Sequence, residues 1–412
     1  KELLIICDDL YLMKSLILNL KGKNIDLDYS INFINFKNII SNYFNILKSL
    51  LISCVNSFYW FIICKGLVKQ KQLYGDQILI HTYTDQKSLL NNRKITSRYF
   101  PHLQEYFKQK KLNYSNLYWF YPFWRGRIKA LKKIYNNKGF LPDQWLKFSD
   151  YFLSFKNVFK TYSLIRSKKK YRNLNIDHLI LREKKQYLIN LVYNLRFWLY
   201  IPAIKRWSKN FSSLTVIDHY ENMVFEHALI VAIRGLKIKN KAIGYHHTLS
   251  SKEFTAWHSL KSEWSSNYKP NKIITCGKIS RDQLKSQGAP TSRLIDGPAL
   301  RFEKNFITSK KNKKKSNYVL FPLSQNKDSS YELLNCVKIL SERLKNTNFK
   351  LIIKPHPNFE IKTFLTNLEM KALPQNVKIS YKDLDILLNE CLFSVILSTG
   401  ASYNAVLSGS IV

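Results

Sequence analysis

Three short polar clusters in the second half of the chain carry residues that could bind a phosphate or move a proton. The first, Lys354-Pro355-His356-Pro357, follows an apolar run, Phe349–Ile353. Prolines on both sides of His356 restrict the backbone, so the imidazole is held in one direction beside Lys354. A fixed imidazole next to an ammonium group suits a phosphate, although the same residues could form a rigid surface turn. We predict that Lys354, His356 and Pro357 bind a phosphate group.

The second cluster is Ser398-Thr399-Gly400, which precedes a predicted helix, Ala401–Leu407. Free N–H groups at a helix start, two hydroxyls and a glycine that lets the backbone approach closely can together bind an anion. The hydroxyl groups could equally serve as simple helix caps. We predict that Ser398, Thr399 and Gly400 bind an anion, and Gly277, which ends another predicted strand, is a further candidate binding residue.

The third cluster contains the candidate catalytic residues. Asp218 and Glu221 follow the predicted strand Leu214–Ile217, while His246 and His247 follow the next predicted strand, Ala242–Tyr245. The carboxyl ends of adjacent parallel strands meet at one edge of a sheet. A carboxylate there could be the general base that deprotonates an acceptor hydroxyl. We prefer Glu221 slightly over Asp218, although Glu221 could also be an acidic residue that stabilises a helix start.

The histidines of this cluster have several possible roles. We predict that Tyr245 and His246 contact the acceptor and that His247 shares in proton transfer, but either histidine could instead contact the donor phosphate. His219, His246 and His247 could bind zinc, yet no cysteine or spaced carboxylate completes such a site in the sequence. We therefore predict that the protein uses no metal.

Around these clusters, apolar strands alternate with amphipathic helices. The predicted strands are Leu214–Ile217, Ala242–Tyr245, Lys272–Cys276, Leu294–Ile295, Tyr318–Leu323, Phe349–Ile353, Val377–Ser380, Phe393–Leu397 and a start at Ser410–Val412. The predicted helices are Glu221–Arg234, Ser280–Gln287, with Ser280 as its N-cap, Ser330–Leu344, Leu384–Cys391 and Ala401–Leu407. Such alternation predicts an α/β fold with two Rossmann-like domains facing a cleft.

The first domain is predicted to span residues 1–308, with early strands at Lys1–Cys7 and Gln77–Tyr83. An aromatic, basic insertion at about 90–210 is predicted to be mostly helical. The charged run 309–316 has the composition of a linker and leads to a second domain at 317–412. Both chain ends lie within apolar runs, so we expect a fragment whose second domain is truncated.

One uncharged segment of 16 residues, Ser49–Cys64, lies between Lys48 and Lys65. It is shorter than the roughly 20 residues that a membrane-spanning helix needs. A buried core helix and a helix lying in a membrane interface both fit this pattern.

The chain contains 66 Lys and Arg against 28 Asp and Glu, a net charge of +38. Such a charge attracts polyanions such as an anionic membrane surface, although AT-rich codons could supply part of it. No RNA- or DNA-binding signature is visible, which argues against specific nucleic-acid binding. The six cysteines form no CxxC pair, as in a reducing cytoplasm. We expect a cytoplasmic protein, peripheral at the inner face of the plasma membrane.

The KPHP turn followed by a hydroxyl-rich turn resembles the donor site of GT-B enzymes that use cytidine nucleotides. These are bacterial sialyltransferases, polysialyltransferases, Kdo transferases and CDP-glycerol polymerases. The stretches Tyr220–Gly235 and Ile243–Thr248 are similar to bacterial surface-carbohydrate biosynthesis proteins of capsule and lipopolysaccharide. The resemblance covers about residues 210–412 and implies a GT-B-like cleft, with the nucleotide phosphates at the first two clusters.

The resemblance implies a glycosyltransferase that moves a sugar from a nucleotide donor, CMP-linked by analogy, to a surface polysaccharide or lipid-linked glycan. The transfer would be inverting and metal-independent, and would need no cofactor. Glycerol- or ribitol-phosphate transfer from a CDP-alditol fits the same motifs, as does epimerisation of a nucleotide sugar. A non-catalytic basic scaffold that binds a membrane or another polyanion is the alternative outside the enzymes.

Overall fold

The computed structural model describes residues 12, 15–16, 18–19, 34–66, 72–84, 95, 97, 99–119, 127–165, 170–171, 174–247, 259, 261–303, 316–324, 326–356, 361–367, 372–397 and 400–412. The chain divides into two compact units, Lys1–Gly297 and Pro298–Val412. Each unit is built around its own parallel sheet.

The first unit contains a six-stranded sheet in the order β2-β1-β5-β6-β7-β8, and every neighbouring pair is parallel. Its strands are β1 (Gly75–Tyr83), β2 (Tyr114–Trp119), β5 (Phe211–Asp218), β6 (Lys239–His246), β7 (Lys272–Thr275) and β8 (Leu294–Asp296). A short antiparallel ribbon pairs β3 (Lys170–Tyr171) with β4 (Leu174–Asn175).

The helices of the first unit include one long helix near its start. They are α1 (Ile34–Gly66), α2 (Leu103–Gln109), α3 (Arg127–Asn136), α4 (Phe148–Leu164), α5 (Asp177–Ile189), α6 (Leu191–Trp207), α7 (Val224–Arg234), α8 (Lys261–Trp264) and α9 (Lys278–Ser286), with 3-10 turns at Pro142–Trp145 and Thr291–Arg293. The apolar faces of α6 and α7 cover the sheet because their side chains pack with those of β5. The shared core includes Leu199, Ile204, Leu214, Val216, Leu229 and Ile233.

The second unit contains a four-stranded parallel sheet in the order β11-β10-β9-β12. Its strands are β9 (Ser316–Pro322), β10 (Lys350–Lys354), β11 (Val377–Ile379) and β12 (Cys391–Ser394). Its helices are α10 (Lys327–Arg343), α11 (Ile361–Asn367), α12 (Leu384–Glu390) and α13 (Ala401–Leu407), with a 3-10 turn at Leu300–Phe302. The core includes Phe321, Leu334, Val337, Leu351 and Ile353.

These two sheets confirm the predicted α/β class with two Rossmann-like domains, and α2 to α6 confirm a mostly helical region in the first half. The cleft between the domains stays a prediction. The predicted linker lies outside the described residues except for Ser316, which opens β9. The strand predicted at Lys1–Cys7 also lies outside them.

Several details of the sequence prediction were wrong. The helix predicted to begin at Glu221 begins at Val224, because Glu226 bonds to the backbone ahead of it. Ser280 lies inside α9, not at its N-cap, because Gly277 opens that helix. The strand predicted to reach Leu397 ends at Ser394, and the predicted C-terminal strand is a single bridge between Phe393 and Ile411. The hydrophobic pattern of the sequence also did not predict β2, because Tyr, Ser and Asn interrupt its apolar residues.

Gly244 on β6 provides a test of the packing beneath the site. A Cβ atom added to Gly244 would lie 2.9 Å from Cβ of Tyr220, closer than such atoms pack. We expect Gly244→Ala to lower the free energy of unfolding by about 1–3 kcal/mol, because an overpacked core must shift. Urea unfolding measures this change.

Gly66→Ala is the matched control, because nothing lies within 4 Å of the Cβ position at Gly66. This control should leave the stability unchanged or raise it slightly, since alanine restricts the unfolded chain. Equal midpoints for the wild type and Gly244→Ala would contradict the close packing of β6 on Tyr220.

Candidate functional site

The carboxyl ends of β1, β5 and β6 lie side by side in the first unit. His81 on β1 is level with Asp218 on β5, and Asp218 is level with Gly244 on β6. The segments that follow these strands therefore meet at one edge of the sheet, where ligands of parallel α/β folds bind. The predicted proximity of the Asp218 and His247 segments is confirmed.

A carboxylate and an imidazole are paired at this edge. Nε2 of His247 lies 2.9 Å from Oε1 of Glu221. The hydroxyl of Tyr99 donates to the same oxygen at 3.4 Å, and the Tyr99 ring stacks on His247 with 3.8 Å between centroids. The Glu221 side chain is 25% exposed, whereas that of His247 is 3% exposed. The carboxylate is thus held by hydrogen bonds on its inner side and partly open to solvent, where the hydroxyl of a substrate could reach it.

Tyr99 is itself fixed by the segment that follows β1. The hydroxyl oxygen of Ser97 accepts hydrogen bonds from the backbone N–H groups of Tyr99, at 3.2 Å, and of Phe100, at 2.9 Å. Ser97 is anchored in turn, because its hydroxyl lies 2.6 Å from that of Thr82. The aromatic ring against His247 is therefore positioned by the strand and not by the loop alone.

The backbone that carries Glu221 is fixed by Glu226 in the first turn of α7. Oε1 of Glu226 accepts the N–H of Glu221 at 2.8 Å, and Oε2 accepts the N–H of Met223 at 3.2 Å. Glu226 is fully buried, and burial raises its pKa well above the usual value, with the neighbouring Asp218 and Glu221 adding to the effect. The acidic residue that caps the start of α7, by accepting backbone N–H groups, is therefore Glu226.

Asn222 holds the middle of the same loop in a left-handed conformation, with φ of 59°. Its Oδ1 accepts hydrogen bonds from Nζ of Lys269 at 2.6 Å, from Nε2 of His227 at 2.9 Å and from the hydroxyl of Tyr220 at 3.3 Å. Asparagine tolerates this conformation better than most residues. The loop that presents Glu221 is thus determined by side chains from both of its flanks.

Behind the exposed pair lies a buried group formed by His81, Asp218 and His219. Nδ1 of His81 lies 2.7 Å from Oδ1 of Asp218, and Nδ1 of His219 lies 3.1 Å from the carbonyl oxygen of His81. Burial raises the pKa of Asp218 to about 7 and lowers the pKa of His81 to about 3 and that of His219 to about 4. Because Asp218 is 1% exposed, the geometry favours Glu221 over it as the residue that meets a substrate.

Two groups of the described residues could hold a metal ion. In His81, Asp218 and His219, and also in His219, Glu221 and Glu226, one candidate ligand atom of each residue lies within 4.8 Å of the others. Both groups differ from the set of His219, His246 and His247 that the sequence suggested as a zinc site. In the first group, hydrogen bonds already hold His81, Asp218 and His219 together, so their proximity does not require an ion.

The residues predicted to contact the acceptor are both buried. His246 is fully buried, with Nδ1 2.6 Å from the hydroxyl of Ser280, and burial lowers the pKa of His246 to about 3. The ring of Tyr245 packs 5.4 Å from that of Phe100. Acceptor contact by either residue stays a prediction, and their burial is better suited to supporting β6. Gly277, with φ of 101°, opens α9 next to empty space.

In the second unit, Lys354 ends β10 and His356 follows it, and both are half-buried. Pro357, Ser398 and Thr399 lie outside the described residues. The carboxyl ends of β10 and β12 lie at the same edge of the parallel sheet, with β9 between the two strands. Donor binding at this edge stays a prediction. Nη2 of Arg301 lies 3.7 Å from the Cβ position of Gly400, which adds a cation that the sequence did not suggest.

Sequence reasoning also missed three residues of the first unit. His81 had a usable signal, because it is a titratable residue directly after the apolar run of a predicted strand. Glu226 had one too, because it lies among apolar residues of a predicted helix. Tyr99 belongs to no recognisable motif, and only the pairing of β1 with β5 brings it near Glu221.

Comparison with solved structures finds distant likenesses. The chain is similar to a UDP-GlcNAc 2-epimerase of Methanocaldococcus jannaschii in complex with UDP-GlcNAc and UDP, at 12% identity over 81% of this chain and 82% of that one, with a TM-score of 0.43. For UDP-N-acetylglucosamine 2-epimerase from Rickettsia bellii the identity is 14%, the coverage 78% and 73%, and the TM-score 0.39.

The N-terminal domain of Candida albicans trehalose-6-phosphate phosphatase is similar at 12% identity over 83% of this chain and 82% of that one, with a TM-score of 0.42. At these identities and TM-scores, the likenesses carry no argument about the reaction of this chain. No protein-family model and no curated protein sequence matches it.

The depressed pKa of His246 predicts how stability depends on pH. Because the folded pKa of about 3 lies below that of an unfolded histidine, about 6.5, the unfolded chain takes up a proton first as pH falls. His246 alone should therefore reduce the free energy of unfolding by about 2 kcal/mol between pH 7 and pH 5. Asn cannot titrate, so the free energy of unfolding of His246→Asn should fall by about 2 kcal/mol less than that of the wild type between pH 7 and pH 5.

Urea unfolding at the two pH values measures the difference. His102→Asn, at an exposed position, is the control for the replacement of a histidine by asparagine. If His246→Asn and the wild type lose stability in parallel between pH 7 and pH 5, His246 is not held neutral by burial.

Proposed function

We propose that this chain is a glycosyltransferase that moves a sugar from a nucleotide donor to a surface polysaccharide or a lipid-linked glycan. The observation that carries the proposal is the Glu221 carboxylate, which is partly exposed at the carboxyl edge of a parallel sheet and oriented by His247 at 2.9 Å. A fixed, solvent-facing carboxylate is the group that removes a proton from an acceptor hydroxyl.

In this proposal Glu221 takes the proton as the acceptor oxygen attacks the anomeric carbon of the donor sugar. His247 donates a hydrogen bond to Glu221, and so keeps the carboxylate in one orientation before and after it is protonated. The C–O bond to the nucleotide breaks, and Lys354 and His356 of the second unit neutralise the departing phosphate. The hydroxyls of Ser398 and Thr399 and the backbone at Gly400 are proposed to help bind it.

The proposed partners are a nucleotide sugar, CMP-linked by the resemblance of the KPHP turn, and a glycan or lipid-linked acceptor. The proposed location is the cytoplasm. Lysine, histidine and backbone N–H groups supply the positive charge that the leaving phosphate needs, so the proposed reaction uses no metal or other cofactor.

Glu221→Gln tests the proposed base. Gln keeps the size of the side chain but cannot accept the proton, so we expect the rate of nucleotide release to fall by about 100- to 10,000-fold. The assay offers CMP-sugars, CDP-glycerol, UDP-sugars and GDP-sugars with a bacterial glycolipid extract as acceptor. Glu342→Gln, at an exposed position of α10, is the matched control and should retain the wild-type rate. An unchanged rate in Glu221→Gln would remove Glu221 from the mechanism.

His356→Ala tests the proposed donor site independently. A nucleotide at about 100 times its dissociation constant stabilises the folded protein by about 2.7 kcal/mol, which a thermal shift detects. We expect CMP or CDP to raise the melting temperature more than UDP or GDP, and His356→Ala to lose that shift. His178→Ala, which replaces another half-buried histidine, should keep it.

The same measurements separate the alternatives. A preference for UDP or GDP would discard the cytidine donor and keep the glycosyltransferase. Greater turnover of CDP-glycerol than of CMP-sugars would indicate alditol-phosphate transfer, and conversion of a nucleotide sugar with no acceptor would indicate an epimerase. The absence of a shift with all four nucleotides would favour the scaffold.

A further inference from the structure

The long helix α1 turns apolar side chains outward along most of its length. Phe44, Leu51 and Phe58 are 65%, 59% and 57% exposed. With Leu47, Val55 and Ile62 these residues recur every three or four positions, and so form one continuous stripe along the helix. We call this set, Phe44, Leu47, Leu51, Val55, Phe58 and Ile62, the α1 stripe. A soluble helix normally presents the opposite arrangement, with its apolar residues toward the core.

The face of α1 that packs on the protein carries small polar residues along its middle, followed by the buried Trp60 and Cys64 toward its end. Ser49, Ser53, Asn56 and Ser57 are buried. The hydroxyl of Ser49 donates to the carbonyl of Ile189 at 2.7 Å, and that of Ser53 donates to the carbonyl of Ser49 at 2.6 Å. The inward polar groups are thus accommodated, and the outward direction of the apolar stripe is set by these contacts.

The helix α4 extends this surface. Phe148, Phe152 and Phe159 are exposed, and Lys156 and Lys160 are exposed on the same helix. The ring of Phe61 on α1 lies 5.7 Å from that of Phe148, which lies 5.2 Å from that of Phe152. The two exposed faces therefore meet, and α4 adds aromatic rings interleaved with ammonium groups.

The charge of this surface has one sign. The sequence of α1 contains no Asp or Glu, and α4 contains one acidic residue, Asp150. Asp150 is buried and bonded to the guanidinium of Arg206, so it offers no exposed negative charge. Lys48, Lys65, Lys156 and Lys160 are exposed beside the apolar side chains. Anionic lipid headgroups would complement these lysines while the acyl chains cover the stripe.

We propose that the surface formed by the α1 stripe and the exposed face of α4 binds an anionic bilayer, with α1 lying in the plane of the membrane interface. The stretch Tyr43–Gly66 is long and apolar enough to cross a membrane by length and composition alone. However, α1 packs along one side on α5, α6 and the 3-10 turn at Pro142–Trp145. Spanning would draw these elements into lipid, including Arg196, which forms an ion pair with Asp143. The proposal does not depend on the reaction proposed above.

A second copy of the chain is a poorer occupant of this surface. A two-fold interface would place the same patch against itself, and the lysines of the two copies would then be brought together without carboxylates from α1 or α4 to balance them. A bilayer containing anionic lipid has no such conflict.

Flotation of the chain with phosphatidylcholine vesicles, with and without phosphatidylglycerol, tests the proposal. We expect binding that is stronger with the anionic lipid and weakens as salt rises. Leu51→Ser/Phe58→Ser should weaken it at least about tenfold, because two apolar side chains no longer enter the interface. Lys156→Glu/Lys160→Glu should weaken binding to the anionic vesicles by a similar factor of about tenfold, with little effect on neutral vesicles.

Ile339→Ser/Tyr381→Ser is the matched control, because it replaces one exposed aliphatic and one exposed aromatic residue of the second unit. It should bind as the wild type does. Thermal unfolding establishes that each variant is folded, and the charge variant provides a second test if the serine variant is not. Absence of vesicle binding, or equal binding by Leu51→Ser/Phe58→Ser, would overturn the proposal. A concentration-dependent dimer that this variant abolishes would assign the surface to a second copy.

Cys54 allows the orientation of α1 to be measured, because it is exposed on the outward side between Leu51 and Phe58. With the other cysteines replaced by serine, an environment-sensitive fluorophore on Cys54 should shift to shorter wavelength on anionic vesicles. Quenchers placed at shallow acyl positions should quench it more than quenchers near the bilayer centre. Stronger quenching at the centre would show a spanning helix and contradict the in-plane orientation, whereas an unchanged spectrum would contradict binding through this surface.

Discussion

Glu226 accepts the backbone N–H groups of Glu221 and Met223 from a fully buried position. A buried carboxylate is costly unless its oxygens are hydrogen-bonded, and backbone N–H groups ahead of a helix are costly unless they find an acceptor. The Glu226 side chain and the two backbone N–H groups satisfy each other's hydrogen-bonding capacity. The loop between β5 and α7 is therefore held in the conformation that forms these bonds. The position of the Glu221 carboxylate, and hence its pairing with His247, depends on this exchange.

The same burial sets the charges around Glu221. His81, His219 and His246 are neutral at neutral pH, because burial lowers the pKa of each of them. Burial also raises the pKa of Asp218 to about 7 and that of Glu226 well above its usual value. A chain of net charge +38 thus keeps these three buried histidines uncharged in the segments beside its candidate base.

The sequence was informative where one local pattern was enough. Alternation of apolar strands with helices located β5 to β12, and strand ends located the Glu221 and His247 segments. It was uninformative where distant segments combine. Tyr99 reaches His247 only because β1 pairs with β5, and β1 and β5 are separated by more than a hundred residues of mostly helical chain. Glu226 was overlooked because a glutamate in a helix is ordinarily solvated, and burial cannot be read from one residue. The composition of Ser49–Cys64 could not distinguish a buried core helix from a helix in a membrane interface, because the distinction depends on which side of α1 packs on the protein.

Packing links the proposed membrane surface to the candidate base. α1 packs on α6, and α6 packs on α7, whose first turn carries Glu226. These contacts lie in close-packed cores, which transmit displacements instead of absorbing them. A bilayer that fixes α1 in its interface would therefore also fix the orientation of the Glu221 loop relative to the membrane. An acceptor carried on a lipid would then meet the Glu221 loop in a fixed orientation, without a search in three dimensions. The protein would lose its rotational freedom on binding the membrane, so this entropy cost would not add to the barrier of the reaction.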